Sequence, residues 1–438
     1  MSKHSLLVIA VVALAALAAW PSYFNHHTIA QASVATPAPV TADYLNRNGI
    51  IASFEHNAQR NRDQITTRML ASQYLMRYRE TGDVGDLIRA EHNAARSLVL
   101  QPHFNMLGEM TMASAQLSLH RFHDARAHAR EAMRIEPWNT GAIAQAASID
   151  TELGFYQEAD RLLRSTRPGL KPDPGVFTAL ARYDEVTGHT AEARTLMART
   201  MVQMDSVVDN PAEARAWYHF RDGELAWSLG DDTSAEQRFR EALMIFPHYA
   251  RAYNGLARLY WGERRWHEAV DAATQAAELL PLPESLGYEA DAQRALGDEQ
   301  GARATQDLIL AIERIGNASG LNDRGLAIYY SEHRIRLADA LRIAKRDVAV
   351  RDDIFAEDTL AWALAQNGRW REAERAARKA TRYDTQDARL HYHLGIITLR
   401  NGNRAEAQRE LQRALALNAH FHPVYADDAR NVLQDWRL

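Results

Sequence analysis

An alanine that returns every 34 residues in a matching setting constrains this chain more than any other feature. Ala125 in HRFHDARAHAREAMRIEP, Ala159 in GFYQEADRLL and Ala193 in GHTAEARTLM stand 34 residues apart in succession. Ala235 in GDDTSAEQRFREALMIFP, Ala269 in RRWHEAVDAATQAAELLP and Ala302 in GDEQGARATQ follow one another at 34 and 33, and Ala373 in GRWREAERAARKA precedes Ala407 in GNRAEAQRELQRALAL by 34. Two longer intervals interrupt the rhythm, 42 residues from Ala193 to Ala235 with the surplus in QMDSVVDNPAE, and 38 from Ala302 to Ala340 with the surplus near GNASGLND. Both read as loop insertions between repeats. A fixed period of this length belongs to arrays of small supersecondary units, none of which completes a core alone.

The composition decides which unit repeats. Ala, Leu, Arg and Glu dominate, Gly and Pro only punctuate, and β-branched runs are rare beyond the N-terminus, so the units are helical. About twelve positions before each repeated alanine lies a second small residue: Ala113, Ala147, Ala181, Gly223, Ala257, Ala290, Ala361 and Gly395. Small residues at both positions let two helices of a hairpin cross closely, where a larger side chain would force them apart at about 1–3 kcal/mol. Gly154, Gly188, Gly230, Gly297, Gly368 and Gly402 fall between the two sites and end the first helix in a left-handed cap. Pro102, Pro137, Pro247 and Pro281 end second helices in the same phase.

These residues resemble the tetratricopeptide repeat, and YNGLARLY at 253–260, followed by Trp266, Ala269, Ala273, Ala276 and Pro281, matches it closely. The resemblance covers roughly residues 65–420 in about ten units, the first and the one around Ala340 being degenerate, with a cap after His422. It implies an all-α fold, a right-handed α-solenoid of stacked helical hairpins. HFRDGELAWSLGD, the LPLPE link and the run from EDTLAWALAQNGRWREA to LNAHFHP resemble an exported bacterial family of such proteins, a resemblance that brings no activity with it. Asp222 departs from the pattern, standing where the motif usually has Leu. A local shift of helix packing is preferred there to a functional acid.

The expected organisation is 1–32 as a signal peptide or signal anchor, 33–60 as a Pro/Ser/Thr-rich linker leading into the first helix, and repeats over 61–210, 211–315 and 316–438, the last with a capping helix. Lys3 and His4 precede an apolar run from Leu6 to Trp20, then Pro21 and a Ser/Thr/Pro/Ala-rich stretch. The run falls short of the ~20 residues that span a bilayer comfortably, and Ala30/Ala32 or Ser33/Ala35 offer cleavage points. Cleaved signal and retained membrane anchor stay open, and both place the body outside the cytoplasm, in the periplasm or cell envelope.

The net charge of -5, spread over interspersed acids and bases, supplies no basic stripe for nucleic acid. Cysteine is absent, which removes disulfides, thiolate metal sites, a Cys nucleophile and a lipid-modified Cys. The sequence has no G-x-S-x-G elbow, P-loop, glycine fingerprint or H-E-x-x-H, and the acidic pairs Asp231-Asp232, Asp352-Asp353 and Asp427-Asp428 fall in turns or caps. No catalytic residue, metal ligand or cofactor is expected. The histidine groups His391, His393, His420, His422 and His120, His123, His128 lack ligand spacing, since His391 and His393 point to different sides of a helix.

The first helix of each unit lines the groove of such a solenoid. Counting from the small residue, the resemblance implies that the next position and the fourth face it, which selects Glu224 and Trp227, Arg258 and Trp261, Asp291 and Arg294, and Trp362; Asn254 and Tyr392 join by the same register. Trp and Arg are the residues most enriched at binding hot spots. The groove is expected to hold a protein or peptide, in a non-enzymatic scaffold or adaptor of the envelope. A membrane-anchored assembly factor, tethered through Leu6–Trp20, and a metal-handling protein using the His-rich segments are the alternatives. Packing between neighbouring first helices is an equal reading of Trp227, Trp261 and Trp362, and Trp266 and Trp370 are read as core.

Overall fold

Ten helical hairpins account for the repeat among the described residues. The computed structural model describes residues 42–166, 173–319 and 324–436, with backbone alone for 313–319. The export segment and its cleavage points lie outside the described residues. A 3-10 turn, Asp43–Asn46, leads into α1 (Arg47–Asn61). The hairpins are α2 (Gln64–Thr81) with α3 (Val84–Leu100), α4 (Met106–Ser118) with α5 (Phe122–Ile135), α6 (Thr140–Glu152) with α7 (Tyr156–Ser165), α8 (Pro174–Val186) with α9 (Thr190–Asp205), and α10 (Ala212–Ser228) with α11 (Asp232–Ile245). The next five are α12 (Ala250–Gly262) with α13 (Trp266–Leu279), α14 (Pro283–Ala295) with α15 (Glu299–Ser319), α16 (Arg324–Glu332) with α17 (Leu337–Val350), α18 (Ile354–Gln366) with α19 (Trp370–Ala380), and α20 (Ala388–Arg400) with α21 (Arg404–Leu417). The helix α22 (Pro423–Asp435) closes the array, and no strand occurs among the described residues. The described residues form one compact unit.

Alanine closes each crossing as the period requires. The facing pairs from Ala113/Ala125 to Ala361/Ala373 are all essentially inaccessible. Where the first-helix residue is glycine, a large side chain occupies the space. A β-carbon on Gly223 would stand 2.8 Å from the Phe239 ring, and one on Gly255 would stand 2.8 Å from the same ring, so Phe239 is wedged between α10 and α12. Gly395 makes the same room for Leu411.

Each hairpin turn contains at least one residue in the left-handed region. Seven turns have a glycine there (Gly82, Gly154, Gly188, Gly230, Gly297, Gly368, Gly402), two have His120 and Arg264 at φ 59° and 61°, and the α16–α17 turn has both Arg334 and Arg336 at 53° and 46°. The backbone therefore keeps phase through units whose sequence signature is weak. The two insertions are not simple loops. The first lengthens α9 and α10 on either side of the Ser206–Pro211 link, and the second extends α15 to 21 residues. Asp222 is buried, with one carboxylate oxygen accepting from Arg238 Nε at 2.8 Å and the other, Oδ1, without a hydrogen-bond partner among the described residues.

The array coils far enough for late units to rest on early ones. Loops that follow second helices late in the chain pack against turns of the third to sixth hairpins. Asp352 N donates to Leu153 O at 3.2 Å, Ile354 N to the Tyr156 hydroxyl at 3.1 Å, Thr385 Oγ1 to Val186 O at 2.6 Å and Asn418 Nδ2 to Trp227 O at 2.7 Å. These partners are separated by 191 to 199 residues where side chains are involved. Arg264 extends the seam to Pro423 O at 2.8 Å and to the Asp427 carboxylate. At the other end Asp43 caps the α10 N-terminus through Ala212 N at 3.0 Å, and Arg79 pairs with Glu213.

Candidate functional site

The first helices carry a ladder of alternating charge along the face that lines the coil. Glu152 of α6 accepts from Arg182 of α8 at 2.9 Å, Arg182 pairs with Glu185 at 2.9 Å, and Glu185 accepts from Arg221 of α10 at 2.6 Å. Arg221 then pairs with Glu224 at 2.5 Å, and Glu224 with Arg258 of α12 at 3.1 Å. Burial works against charge on Glu152, Arg182, Arg221, Glu224 and Arg258, but the neighbouring opposite charges outweigh it. Arg182, Arg221 and Arg258 are held above the ordinary guanidinium range, and Glu152 and Glu224 below the ordinary carboxylate range. Every rung is partnered within the chain.

The nine residues selected from the sequence lie on this face and beyond it. Arg258 stacks over Trp227 with its guanidinium carbon 4.0 Å from the ring centroid. Asn254 donates to Glu284 at 3.3 Å and accepts from Ser285 at 3.0 Å. Asp291 binds His333 at 2.9 Å and lies 3.5 Å from Arg294. Trp261, Trp362 and Tyr392 are buried. His422 and Tyr425, at the start of α22, fill the space before them: Trp261 meets the His422 ring edge-on at 4.5 Å, Trp362 Nε1 donates to the Tyr425 hydroxyl at 3.1 Å, and Tyr392 stacks on Tyr425 at 4.5 Å. As the chain stands these three pack against its own last helix. Trp266 and Trp370 are partly buried against the hydrophobic core. Trp227 Nε1, Arg258 Nε and Trp261 Nε1 are nonetheless buried donors with no acceptor among the described residues.

The C-terminal histidines do not converge. His391 binds Glu410 at 2.7 Å, His393 binds Asp358 at 2.9 Å, and His422 caps α22 by accepting from Val424 N and Tyr425 N. His420 turns away from them toward Asp232, at 2.7 Å, across the seam.

One accessible surface escaped the sequence reading. Six large apolar side chains are 71–83% exposed: Leu45, Val99, Phe104, Trp138, Val208 and Met244. Val99, Phe104, Trp138, Val208 and Met244 stand at ends of second helices or in the loops after them, which an antiparallel array places along one edge, and Leu45 rides on the 3-10 turn bound to the start of α10. The equivalent loops around Asp352, Tyr383 and Leu417 are the ones covered in the seam. Phe104 is also held at φ 57°, a conformation that a bulky residue adopts only under constraint.

The fold and this surface define an all-helical array of tetratricopeptide-like hairpins that bears an open apolar edge. No family model and no curated protein matches the chain. Solved structures similar to it include yeast Tom70, at 13% identity over 90% of this chain and 94% of that one with a TM-score of 0.37. The Cut9–Hcn1 hetero-tetramer of the APC/C is similar at 13% identity over 90% and 93%, with a TM-score of 0.33. The human IFIT1 dimer with PPP-AAAA is similar at 16% identity over 68% and 69%, with a TM-score of 0.46.

Proposed function

We propose that this protein is a non-enzymatic scaffold of the periplasm or cell envelope that holds a polypeptide partner along the edge marked by Phe104 and Trp138. The observation that carries the reading is the row of apolar side chains on the very loops that, later in the array, pack against another layer of hairpins. Apolar surface of this kind is stabilised by about 25 cal/mol for each Å² removed from water, and aromatic residues on a rigid frame lose little entropy on docking. The envelope location rests on the Lys3, His4 and Leu6–Trp20 pattern alone, and retention of that run would make the protein a membrane-anchored assembly factor.

A second reading keeps the partner on the inner face, favoured by the unmatched donors of Trp227, Arg258 and Trp261, which a peptide carbonyl or carboxylate would satisfy. Affinity capture from native envelopes separates the two. The full chain is compared with a Phe104→Ser/Trp138→Ser variant and a Trp227→Phe/Trp261→Phe variant, each checked for helicity. Loss of a partner from the edge variant alone is expected. Loss from the inner-face variant alone moves the site inward, and failure of the unaltered chain to retain any envelope protein overturns the scaffold reading.

A further inference from the structure

Three side chains that the sequence keeps far apart meet at the seam. Asp232 is the first residue of α11, Glu263 follows α12 in the next hairpin turn, and His420 lies in the link between α21 and α22. Each offers one ligand atom, and the three atoms lie within 4.8 Å of one another. His420 Nδ1 is already 2.7 Å from one Asp232 oxygen, while the other, Oδ1, is buried without a hydrogen-bond partner among the described residues. A buried carboxylate oxygen left unpaired is costly, and in this setting a cation is the partner that satisfies it.

We infer that Asp232, Glu263 and His420 bind a divalent transition-metal cation of the zinc class, which clips the link before α22 onto the fifth and sixth hairpins. The donor set decides the class of ion. One imidazole nitrogen with two carboxylate oxygens suits first-row divalent ions such as Zn²⁺, Co²⁺ or Mn²⁺, whereas Ca²⁺ and Mg²⁺ seek all-oxygen shells. Two carboxylates balance the charge of the ion, and water completes the shell on the exposed side of His420.

A competing cation is present and can give way. Arg265 Nη1 lies 3.1 Å from Glu263 Oε2, but the same guanidinium also pairs with Glu236 at 3.0 Å and Glu268 at 2.5 Å. Release of Glu263 therefore leaves Arg265 fully partnered. The backbone is already closed around the site, since a β-carbon on Gly262 would stand 2.2 Å from His420 O. The metal would tighten a seam that exists without it.

The test is calorimetric titration of ZnCl₂ into the untagged full chain, with MgCl₂ as the control, alongside thermal unfolding with and without Zn²⁺. Expected are one saturable Zn²⁺ site, no response to Mg²⁺, and a rise in the unfolding midpoint that grows with Zn²⁺ as linkage requires. His420→Ala and Asp232→Asn, both on partly exposed positions and checked for helicity, should each weaken binding by about tenfold or more and cancel the rise. No saturable binding, or Zn²⁺ binding unchanged in both variants and therefore located on other histidines, would overturn the assignment.

Discussion

Gly154 and Asp352 touch across the seam so closely that a β-carbon on Gly154 would stand 2.3 Å from the Asp352 carbonyl oxygen. The glycine was legible as a helix cap, and the structure gives it this second task. Gly368 occupies the same turn position with a similar φ of 74°, and nothing lies within 4 Å of where its β-carbon would be.

The two glycines therefore separate conformational cost from contact cost. Gly368→Ala should cost about 1–2 kcal/mol, the penalty of an L-residue in the left-handed region. Gly154→Ala should cost about 1–3 kcal/mol more through the displaced seam. Urea unfolding of both variants measures the difference, and equal midpoints would mean that the seam does not stabilise the fold.

Phe239 supplies a second comparison. Gly223→Ala drives a methyl group into its ring and should destabilise by about 1–3 kcal/mol. The effect should shrink when Phe239→Leu is combined with it, because the shorter side chain vacates the wedge. A double-mutant cycle on denaturant midpoints reads the coupling, and simple additivity would sink the explanation.

The ladder predicts unequal arginines. Arg221→Ala leaves Glu185 and Glu224 facing each other without their shared cation, at about 1–3 kcal/mol, less than a fully buried pair because solvent reaches this face. Arg134→Ala removes only a surface pair with Glu131, and its unfolding midpoint should match that of the unaltered chain.

Two histidines give stability opposite dependences on pH. Burial, reinforced by Arg389, His333 and His393, holds His422 well below the ordinary imidazole value, and its Nδ1 must stay unprotonated to cap α22. Its contribution is present above about pH 6.5, the unfolded value, and is lost as pH falls toward the folded one. His333 is buried too, but Asp291 raises its pKa, so its contribution is complete below about pH 6.5 and fades as pH rises through the folded value. Thermal midpoints between pH 7.5 and 5.5 should respond less to acid in His422→Asn and more in His333→Gln. The opposite ordering would refute both assignments.

The helices were legible because small residues at a crossing leave a fixed interval in the sequence, and the caps because glycine marks seven of ten turns. His120, Arg264 and Arg334 hide the remaining turns, since a non-glycine residue there is held by its neighbours rather than by its own preference. A third of the charge ladder was visible. Glu224 and Arg258 came from the register of the first helices, but Glu152, Arg182, Glu185 and Arg221 did not, because ion pairs between units leave no motif. The seam left no trace at all. Nothing local in Asp232, Glu263 and His420, or in Trp261 and His422, announces that they meet.

The seam also changes how such an array can come apart. In an open stack each hairpin answers only to its neighbours, so the ends fray and stability is a sum of adjacent interfaces. Here the third to sixth hairpins are held by the last ones and the N-terminal turn is held by α10, so neither end can melt without breaking contacts between residues more than 160 positions apart. Unfolding is thereby drawn toward a single cooperative event, and folding must wait for two distant segments to find each other, at the entropic cost of closing a long loop.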